Sequence, residues 1–172
     1  KAYLKGRYLR YTKNDHKGAS LAYEEAVRLD PLHAQSWIGL AESCVLQSHY
    51  GIAHPRDACS RAKAAITTSR EIQGESAEAL YVEGFVAFVE RNCTASDRAY
   101  RRALEIEPNN SGALGTFGVI NCVLGNVDEA LLLFERARES DPLAAYPYAM
   151  TGAGFVTARR PAEAMPFFEQ AF

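Results

Sequence analysis

Two histidines, His49 and His54, lie five residues apart in one predicted loop, and their side chains are of the type that binds a metal ion. Asp57 and Cys59 follow them, so the segment also offers a carboxylate and a thiol. A structural zinc site takes four such ligands, but the sequence has no C-x-x-C pair and no cysteine and histidine spacing typical of zinc. We interpret both histidines as solvated loop residues and predict no metal ion.

The sequence contains none of the short motifs that mark common enzyme classes. It has no G-x-x-x-x-G-K-[ST], no G-x-G-x-x-G, no G-x-S-x-G and no H-E-x-x-H. Its four cysteines lie in or beside predicted helices, where a free cysteine acts as a small apolar residue; they are Cys44, Cys59, Cys93 and Cys122. We predict a non-enzymatic protein without cofactors, with reduced thiols that favour the cytoplasm.

Composition argues against two classes of partner. The 172 residues are 48% hydrophobic and 23% charged, which is ordinary for a chain with a packed core. A net charge of −2 provides no basic field for binding nucleic acid. The apolar runs are also shorter than the roughly 18 to 20 residues that span a bilayer. We therefore predict binding to neither nucleic acid nor membrane.

A recurring phrase places small, aromatic and proline residues at fixed intervals. Its copies are Ala19-x3-Tyr23-x2-Ala26-x4-Pro31, Ser96-x3-Tyr100-x2-Ala103-x4-Pro108 and Ala130-x3-Phe134-x2-Ala137-x4-Pro142. Small residues let two helices approach, the aromatic ring fills the space between hairpins, and proline ends the second helix because it has no amide donor. The phrase predicts a chain of repeated helical hairpins, with 34 residues between Pro108 and Pro142.

The first helices carry a second pattern, clearest in Trp37-x2-Leu40-Ala41-x2-Cys44, with Gly84, Gly118 and Gly152 at the small position of later units. With the 34-residue period, these residues resemble the tetratricopeptide repeat over essentially the whole chain. The resemblance implies an all-α, right-handed superhelical solenoid of antiparallel helix hairpins in a single domain, residues 1–172. We expect about five units, at residues 1–31, 32–73, 74–108, 109–142 and 143–172, the last of them truncated in a piece of a longer chain.

The second unit is longer than the others. Pro31 and Pro108 are 77 residues apart, nine more than two periods of 34. The extra residues fall in residues 47–55 and 67–75, so we expect a longer turn inside the hairpin and a longer connection after it. Extra loop length costs little entropy. We interpret the insertion as tolerated surface rather than as a functional segment.

Two segments resemble one bacterial subgroup of these arrays: Leu4-Lys5-Gly6-Arg7-Tyr8 near the front, and Pro55-Arg56-Asp57-Ala58 at the start of a helix. In that subgroup the repeats follow a nucleotide cyclase, a serine/threonine kinase or a winged-helix regulator on the same chain. The resemblance implies the regulatory repeat region of a larger bacterial signalling or transcription protein. None of those other domains is in this sequence, so their activities do not transfer.

In this family the first helix of each unit lines a concave groove. Transferring that rule by position predicts a partner-binding groove, aromatic and apolar in its middle, made of Tyr3, Arg7, Arg10, Ile38, Glu42, Tyr81, Phe85, Phe88, Val119, Cys122 and Tyr146. Spacing alone also allows Phe85 or Phe88 to belong to the core. Members that bind chaperone tails hold a terminal carboxylate with Lys, Asn and Arg, but the matching positions here are apolar or acidic. We expect a protein partner, in the form of a peptide or helix that buries apolar side chains.

Two alternatives remain open. A regulatory sensor would bind a small molecule in the same groove. A homo-oligomer would form through the C-terminal edge, where Phe167, Phe168 and Phe172 lack a capping helix. The first 17 residues carry a net charge of +5, whereas residues 127–172 have seven acidic and four basic side chains. This asymmetry indicates either a solvated end or head-to-tail docking.

Three glycines, Gly112, Gly115 and Gly118, recur every three residues on one predicted helix. Each glycine lowers helix propensity by about 1 kcal/mol relative to alanine. The stripe indicates either a close approach of another group or a soft helix.

Overall fold

The computed structural model describes residues 1–142 and 145–171, which form ten α-helices and no strand. The helices are α1 Ala2–Tyr11, α2 His16–Leu29, α3 Ala34–His49, α4 Pro55–Gln73, α5 Ala77–Val89, α6 Cys93–Ile106, α7 Ser111–Leu124, α8 Val127–Ser140, α9 Ala145–Thr157 and α10 Pro161–Ala171. They form two compact parts, an N-terminal part Lys1–Arg102 and a C-terminal part Ala103–Phe172, with the boundary inside α6. The predicted all-α class is confirmed.

Successive helices pair as hairpins within each part. In the N-terminal part α1 packs on α2 and α3 on α4, while α2 contacts α3 and α4 contacts α5. In the C-terminal part α7 packs on α8 and α9 on α10, and α8 contacts α9. The first helices of the hairpins are also neighbours, α1 beside α3, α3 beside α5, and α7 beside α9. This stacking confirms the predicted hairpin repeat.

The aromatic ring of the recurring phrase sits against glycines of the first helices. A methyl group built on Gly6 would lie 2.7 Å from the Tyr23 ring, and one on Gly39, in the next hairpin, would lie 2.5 Å from it. Phe134 is enclosed in the same way by Gly118 and Gly154. Both rings are almost fully buried. The absence of a β-carbon therefore allows each ring to fill the space between two hairpins.

The glycine stripe on α7 is explained by the same contacts. A β-carbon on Gly118 would clash with the Phe134 ring, and one on Gly115 would lie 3.1 Å from the Tyr146 ring. At Gly112 the nearest atom would be Asn110 Oδ1, at 3.5 Å. Two of the three glycines therefore permit close approach, and Gly112 does not.

The second hairpin fills the same space with different volumes. Ala62 stands where the other hairpins have an aromatic ring, and Ala41 stands where they have glycine. Both alanines are completely buried and belong to the same core cluster. In the hairpin that lacks the aromatic ring, alanine therefore replaces glycine, and its methyl group takes up part of the space that the ring would fill.

The extra residues of the second hairpin lengthen its helices more than its loops. α4 continues through Gln73, so its connection to α5 is only Gly74, Glu75 and Ser76. α3 continues through His49, which leaves residues 50–54 as the turn. The predicted longer connection after the hairpin is therefore wrong. The helix persists until Gly74, whose φ of 80° strongly favours glycine.

Gly125 and Asn126 form the turn between α7 and α8. Gly125 ends α7 in the left-handed region, with φ of 86°, and Asn126 precedes α8. The Asn126 side chain donates a hydrogen bond to Asn121 Oδ1 at 3.1 Å instead of capping α8. Asp128 lies in the first turn of α8, where a negative charge interacts favourably with the helix dipole.

Candidate protein-interaction surface

Glu42 of α3 is the centre of a polar cluster that joins three neighbouring first helices. Its Oε1 accepts hydrogen bonds from Arg10 Nη2 at 3.0 Å and from the Tyr81 hydroxyl at 3.4 Å. Its Oε2 accepts a hydrogen bond from the Tyr11 hydroxyl at 3.0 Å. Arg10 and Tyr11 belong to α1 and Tyr81 to α5. The cluster therefore ties α1, α3 and α5 into one face, which we call the first-helix surface.

The ion pair in this cluster is largely withdrawn from water. The side chains of Arg10 and Glu42 are only 15% and 7% exposed. Burial lowers the pKa of Arg10, but the adjacent Glu42 carboxylate, Tyr81 and Tyr11 together raise it more, so the net pKa lies above the ordinary value. Burial and the same carboxylate also raise the pKa of Tyr11. Arg10 and Tyr11 therefore keep their protons at neutral pH. Because Arg10 pairs with it, Glu42 presents no free negative charge to a partner.

His16, the first residue of α2, is buried beside the cluster, with only 3% of its surface exposed. Its ring stacks on Tyr50, with 4.8 Å between ring centroids and 9° between planes. Neither ring nitrogen has a hydrogen-bond partner among the described residues. Burial lowers the pKa of His16, and the nearby Arg10 cation lowers it further. The imidazole is therefore neutral at pH 7.

The other residues predicted for the N-terminal groove differ in exposure. Arg7 is exposed, and Tyr3 is half-buried with its ring centroid 4.8 Å from that of His33. Ile38 and Phe85 are each only 6% exposed and belong to the core cluster, against which the half-buried Phe88 packs. Ile38 and Phe85 thus have little surface to offer a partner. Arg7, Tyr3 and Phe88 have more.

In the C-terminal part the predicted residues divide similarly. Val119 is half-buried and packs against the core cluster that contains Cys122, which is 5% exposed. Tyr146 is 43% exposed, and its hydroxyl lies 3.1 Å from Thr116 Oγ1. Tyr146 therefore has the most accessible side chain of the three.

The predicted C-terminal edge is partly covered. Phe167 stacks on Phe155, with 5.4 Å between ring centroids, and the Arg138 guanidinium lies 5.0 Å from its centroid. Phe168 contacts Gly152 and, like Phe167, is half-buried. Phe172, the third aromatic predicted for this edge, lies outside the described residues.

The two histidines predicted for one loop are both exposed but belong to different elements. His49 ends α3, and its ring centroid lies 5.3 Å from that of Phe85. His54 precedes α4, and its Nδ1 accepts a hydrogen bond from the Arg56 amide at 3.3 Å. Across residues 1–142 and 145–171, no three His, Cys, Asp or Glu side chains are grouped so that they could hold a metal ion. Within the same ranges, no helix combines the length and apolarity needed to cross a membrane. The four cysteines are free thiols.

Comparison with known proteins gives one curated relative and several similar structures. No protein-family model matches the chain. Over 139 residues the sequence is 27% identical to anaphase-promoting complex subunit 7 of Arabidopsis thaliana. The match covers 74% of this chain and 22% of the relative, so this chain spans about a fifth of the relative's length.

The structure is similar to that of TTC0263, a thermophilic TPR protein of Thermus thermophilus, with a TM-score of 0.79 and 15% identity over 99% of this chain and 88% of the other. The fold is that of a tetratricopeptide-repeat protein. YrrB, a TPR protein with an unusual peptide-binding site, has a TM-score of 0.55 and 21% identity over 99% of this chain and 82% of its own. The resemblance to the repeat is therefore confirmed at the level of the fold.

Two residues at or beside the first-helix surface, Tyr11 and His16, are not predicted from the sequence. Tyr11 ends α1, one position beyond Arg10, and the positional rule did not select it. His16 is in no motif and at no position that the repeat assigns to the groove. One signal for Tyr11 was available in the sequence. Tyr11 follows Arg10 at the end of the first helix, and the next first helix has an acidic residue, Glu42, at a groove position. Nothing in the sequence indicates that His16 is buried.

Proposed function

We propose that the chain is a non-enzymatic protein-interaction module that binds a peptide or helix of a partner on its first-helix surface. The observation that carries the proposal is the Glu42 cluster, which holds α1, α3 and α5 side by side through hydrogen bonds from Arg10, Tyr11 and Tyr81. A surface fixed in this way loses little conformational entropy when a partner binds.

The chemistry of the surface favours a partner with apolar side chains. Tyr3 on α1 and Tyr81 and Phe88 on α5 are half-buried, so each retains some accessible surface. Aromatic side chains of this kind supply much of the binding energy at protein interfaces. Because Glu42 is neutralised by Arg10, the surface has no free carboxylate at its centre to attract a basic ligand.

The similar proteins support a binding role within a larger assembly. YrrB is a TPR protein with a peptide-binding site, and the plant relative is a subunit of a complex. We further propose a regulatory repeat region in a larger bacterial signalling or transcription protein. That finer assignment depends on the resemblance of residues 4–8 and 55–58 to such arrays. A cytoplasmic location is consistent with the four free thiols.

Peptide-library selection against the whole chain, followed by calorimetric titration of the selected peptide, tests the proposal. Phe88→Ala should weaken binding about tenfold, a loss of about 1.4 kcal/mol. Leu29→Ala is the matched control, because it removes an apolar side chain that is 63% exposed on α2. Circular dichroism establishes that each variant remains folded.

Three outcomes would contradict the proposal. In the first, Phe88→Ala binds the peptide as tightly as the parent chain. In the second, only small metabolites raise the melting temperature, which would indicate a sensor instead. In the third, the chain selects no peptide and light scattering detects only self-association.

A further inference from the structure

The outer face of α1 carries a stripe of three large side chains that the rest of the chain leaves exposed. Leu4, Tyr8 and Tyr11 are 63%, 50% and 62% exposed. They are spaced by four and then three residues, so they lie on one side of the helix. Gly6, on the opposite side, is buried against the Tyr23 ring. We call these three residues the α1 stripe.

Positive charges without ion-pair partners surround the α1 stripe. Lys1 and Lys5 flank it on one side of the helix and Arg7 on the other, and Lys13 and Lys17 follow closely in the chain. All five are exposed, and none forms an ion pair with the described residues. By contrast, Lys63 pairs with Glu90 and Arg70 with Glu83. The charges around the stripe therefore remain available to a partner.

One tyrosine of the stripe, Tyr11, is held in place by its hydroxyl. The Tyr11 hydroxyl donates to Glu42 Oε2 at 3.0 Å, and the Arg10 guanidinium lies 4.9 Å from the Tyr11 ring centroid. Lys13 Nζ lies 5.8 Å from the Tyr8 ring centroid. The Tyr11 ring is thus exposed while its hydroxyl is anchored. An aromatic side chain fixed before binding loses little entropy when a partner covers it.

The spacing and the charge together define the chemistry of the partner. Alternation of four and three residues is the spacing by which two helices pack along a shared seam, with the flanking positions selecting the charge of the partner. A membrane surface would need more bulky apolar side chains than one leucine and two tyrosines. We propose that the α1 stripe docks an amphipathic helix of a partner protein whose apolar face is flanked by Asp and Glu.

The α1 stripe shares Tyr11 with the Glu42 cluster. Leu4, Lys5 and Tyr8 make no part of that cluster, and Phe88 is on α5. Substitutions of Lys1, Leu4 and Lys5, which lie outside the Glu42 cluster, therefore test this proposal independently of the first-helix surface.

The probe is a fluorescein-labelled helical peptide of three heptads, with leucine at both seam positions and glutamate at both flanking positions. A matched peptide has lysine at the flanking positions. Anisotropy titrations with the whole chain should show binding of the glutamate peptide that weakens as salt rises. The lysine peptide should bind at least tenfold more weakly.

Variants of the stripe identify the surface. Leu4→Ser should weaken the glutamate peptide about tenfold, whereas Leu29→Ser, which alters a leucine of equal exposure on α2, should not. Lys1→Glu with Lys5→Glu should remove most of the preference for the glutamate peptide. Arg56→Glu with Arg98→Glu makes the same change in net charge elsewhere on the surface and should leave the preference unchanged. Phe88→Ala should have no effect.

Several results would overturn the proposal. One is equal affinity for the two peptides, and another is an unchanged preference after Lys1→Glu with Lys5→Glu. A third is self-association that Leu4→Ser abolishes, since the stripe would then be covered by a second copy. The last is binding to vesicles of phosphatidylserine and phosphatidylcholine without binding to the glutamate peptide.

Discussion

The Arg10 guanidinium lies 3.0 Å from the Glu42 carboxylate and joins α1 to α3 across 32 positions of sequence. Both side chains are withdrawn from water, and the carboxylate also accepts from two tyrosine hydroxyls. An ion pair removed from water is stabilising only when its remaining hydrogen-bonding groups find partners. Here Tyr11 and Tyr81 supply those partners to the Glu42 oxygens. The buried Arg10 Nε has no hydrogen-bond partner among the described residues, so Glu42 is the group that stabilises the Arg10 cation.

Glu42→Ala should destabilise the chain by about 3 kcal/mol, because it leaves the Arg10 cation buried without its partner. Urea denaturation followed by circular dichroism measures the change. Arg10→Met combined with Glu42→Met should recover at least half of that loss, since an apolar pair leaves no unpaired charge.

The exposed pair Arg61 and Glu24 is the control for this prediction. Glu24→Ala should change stability by less than about 1 kcal/mol, because water screens an exposed ion pair. A loss at Glu42→Ala no greater than that at Glu24→Ala would show that the buried cluster is not stabilising.

Gly118→Ala should destabilise the chain by about 1 to 3 kcal/mol, since the new methyl group would overlap the Phe134 ring. Gly112→Ala on the same helix should instead be neutral or stabilising by up to about 1 kcal/mol, because alanine is the better helix former and space is available. Thermal melts compare the two variants directly. If both variants raise the melting temperature equally, the Phe134 ring does not require glycine at position 118.

Replacing the Phe134 ring by a smaller side chain should make Gly118→Ala tolerable. Phe134→Leu combined with Gly118→Ala should be more stable than Phe134→Leu alone, because the added methyl group would occupy space that the ring has vacated. The second hairpin already has this arrangement, with Ala41 and Ala62 both completely buried. Failure of the rescue would argue against a direct exchange of volume.

The chain should lose stability as the pH falls below about 6.5, in part through His16. Burial lowers the pKa of His16 from its ordinary value of 6.5. The unfolded chain therefore binds a proton at a pH where the native ring remains neutral, so acidification favours unfolding until the native pKa is also passed. The charged groups around the ring are Arg10, which opposes protonation, and Asp15 and Glu42, which favour it; His49 also opposes it.

His16→Phe keeps an aromatic ring against Tyr50 and removes the titrating group. The loss of stability between pH 7.5 and pH 5 should then be smaller by about 1 kcal/mol than in the parent chain. Denaturation at the two pH values gives the difference, and His49→Gln, at an exposed position, should leave it unchanged. An equal loss in His16→Phe and the parent chain would assign the acid sensitivity to other groups.

One thiol of the four should react with Ellman's reagent in the native chain. Cys93 is exposed, whereas Cys44, Cys59 and Cys122 are buried, and burial raises the pKa of each of those three. The thiolate is the reactive form, so burial suppresses both access and reactivity. Cys93→Ser should leave no rapidly reacting thiol, and guanidinium should then expose the other three. Rapid reaction of a second thiol in the folded chain would contradict the buried positions.

The hairpin repeat could be predicted from the sequence because its determinants are local and periodic. Ala, aromatic and proline residues recur at spacings that only a pair of packed helices satisfies, and Gly125 with Asn126 predicts its turn without knowledge of any distant residue. The longer connection expected after the second hairpin is wrong because the length between landmarks does not separate helix from loop. Residues 67–73 have no proline to end α4, and Gly74 ends it instead.

The candidate surface could be predicted only by position. The sequence alone placed Arg10, Glu42 and Tyr81 on first helices, but the distance that joins them depends on how three hairpins stack. Burial also depends on that stacking, because residues far away in the chain cover Ile38, Phe85 and His16. The sequence thus determined the repeating helices through local packing and turn chemistry, while the tertiary structure alone decided which side chains are paired, buried or exposed, because those properties arise from contacts between hairpins.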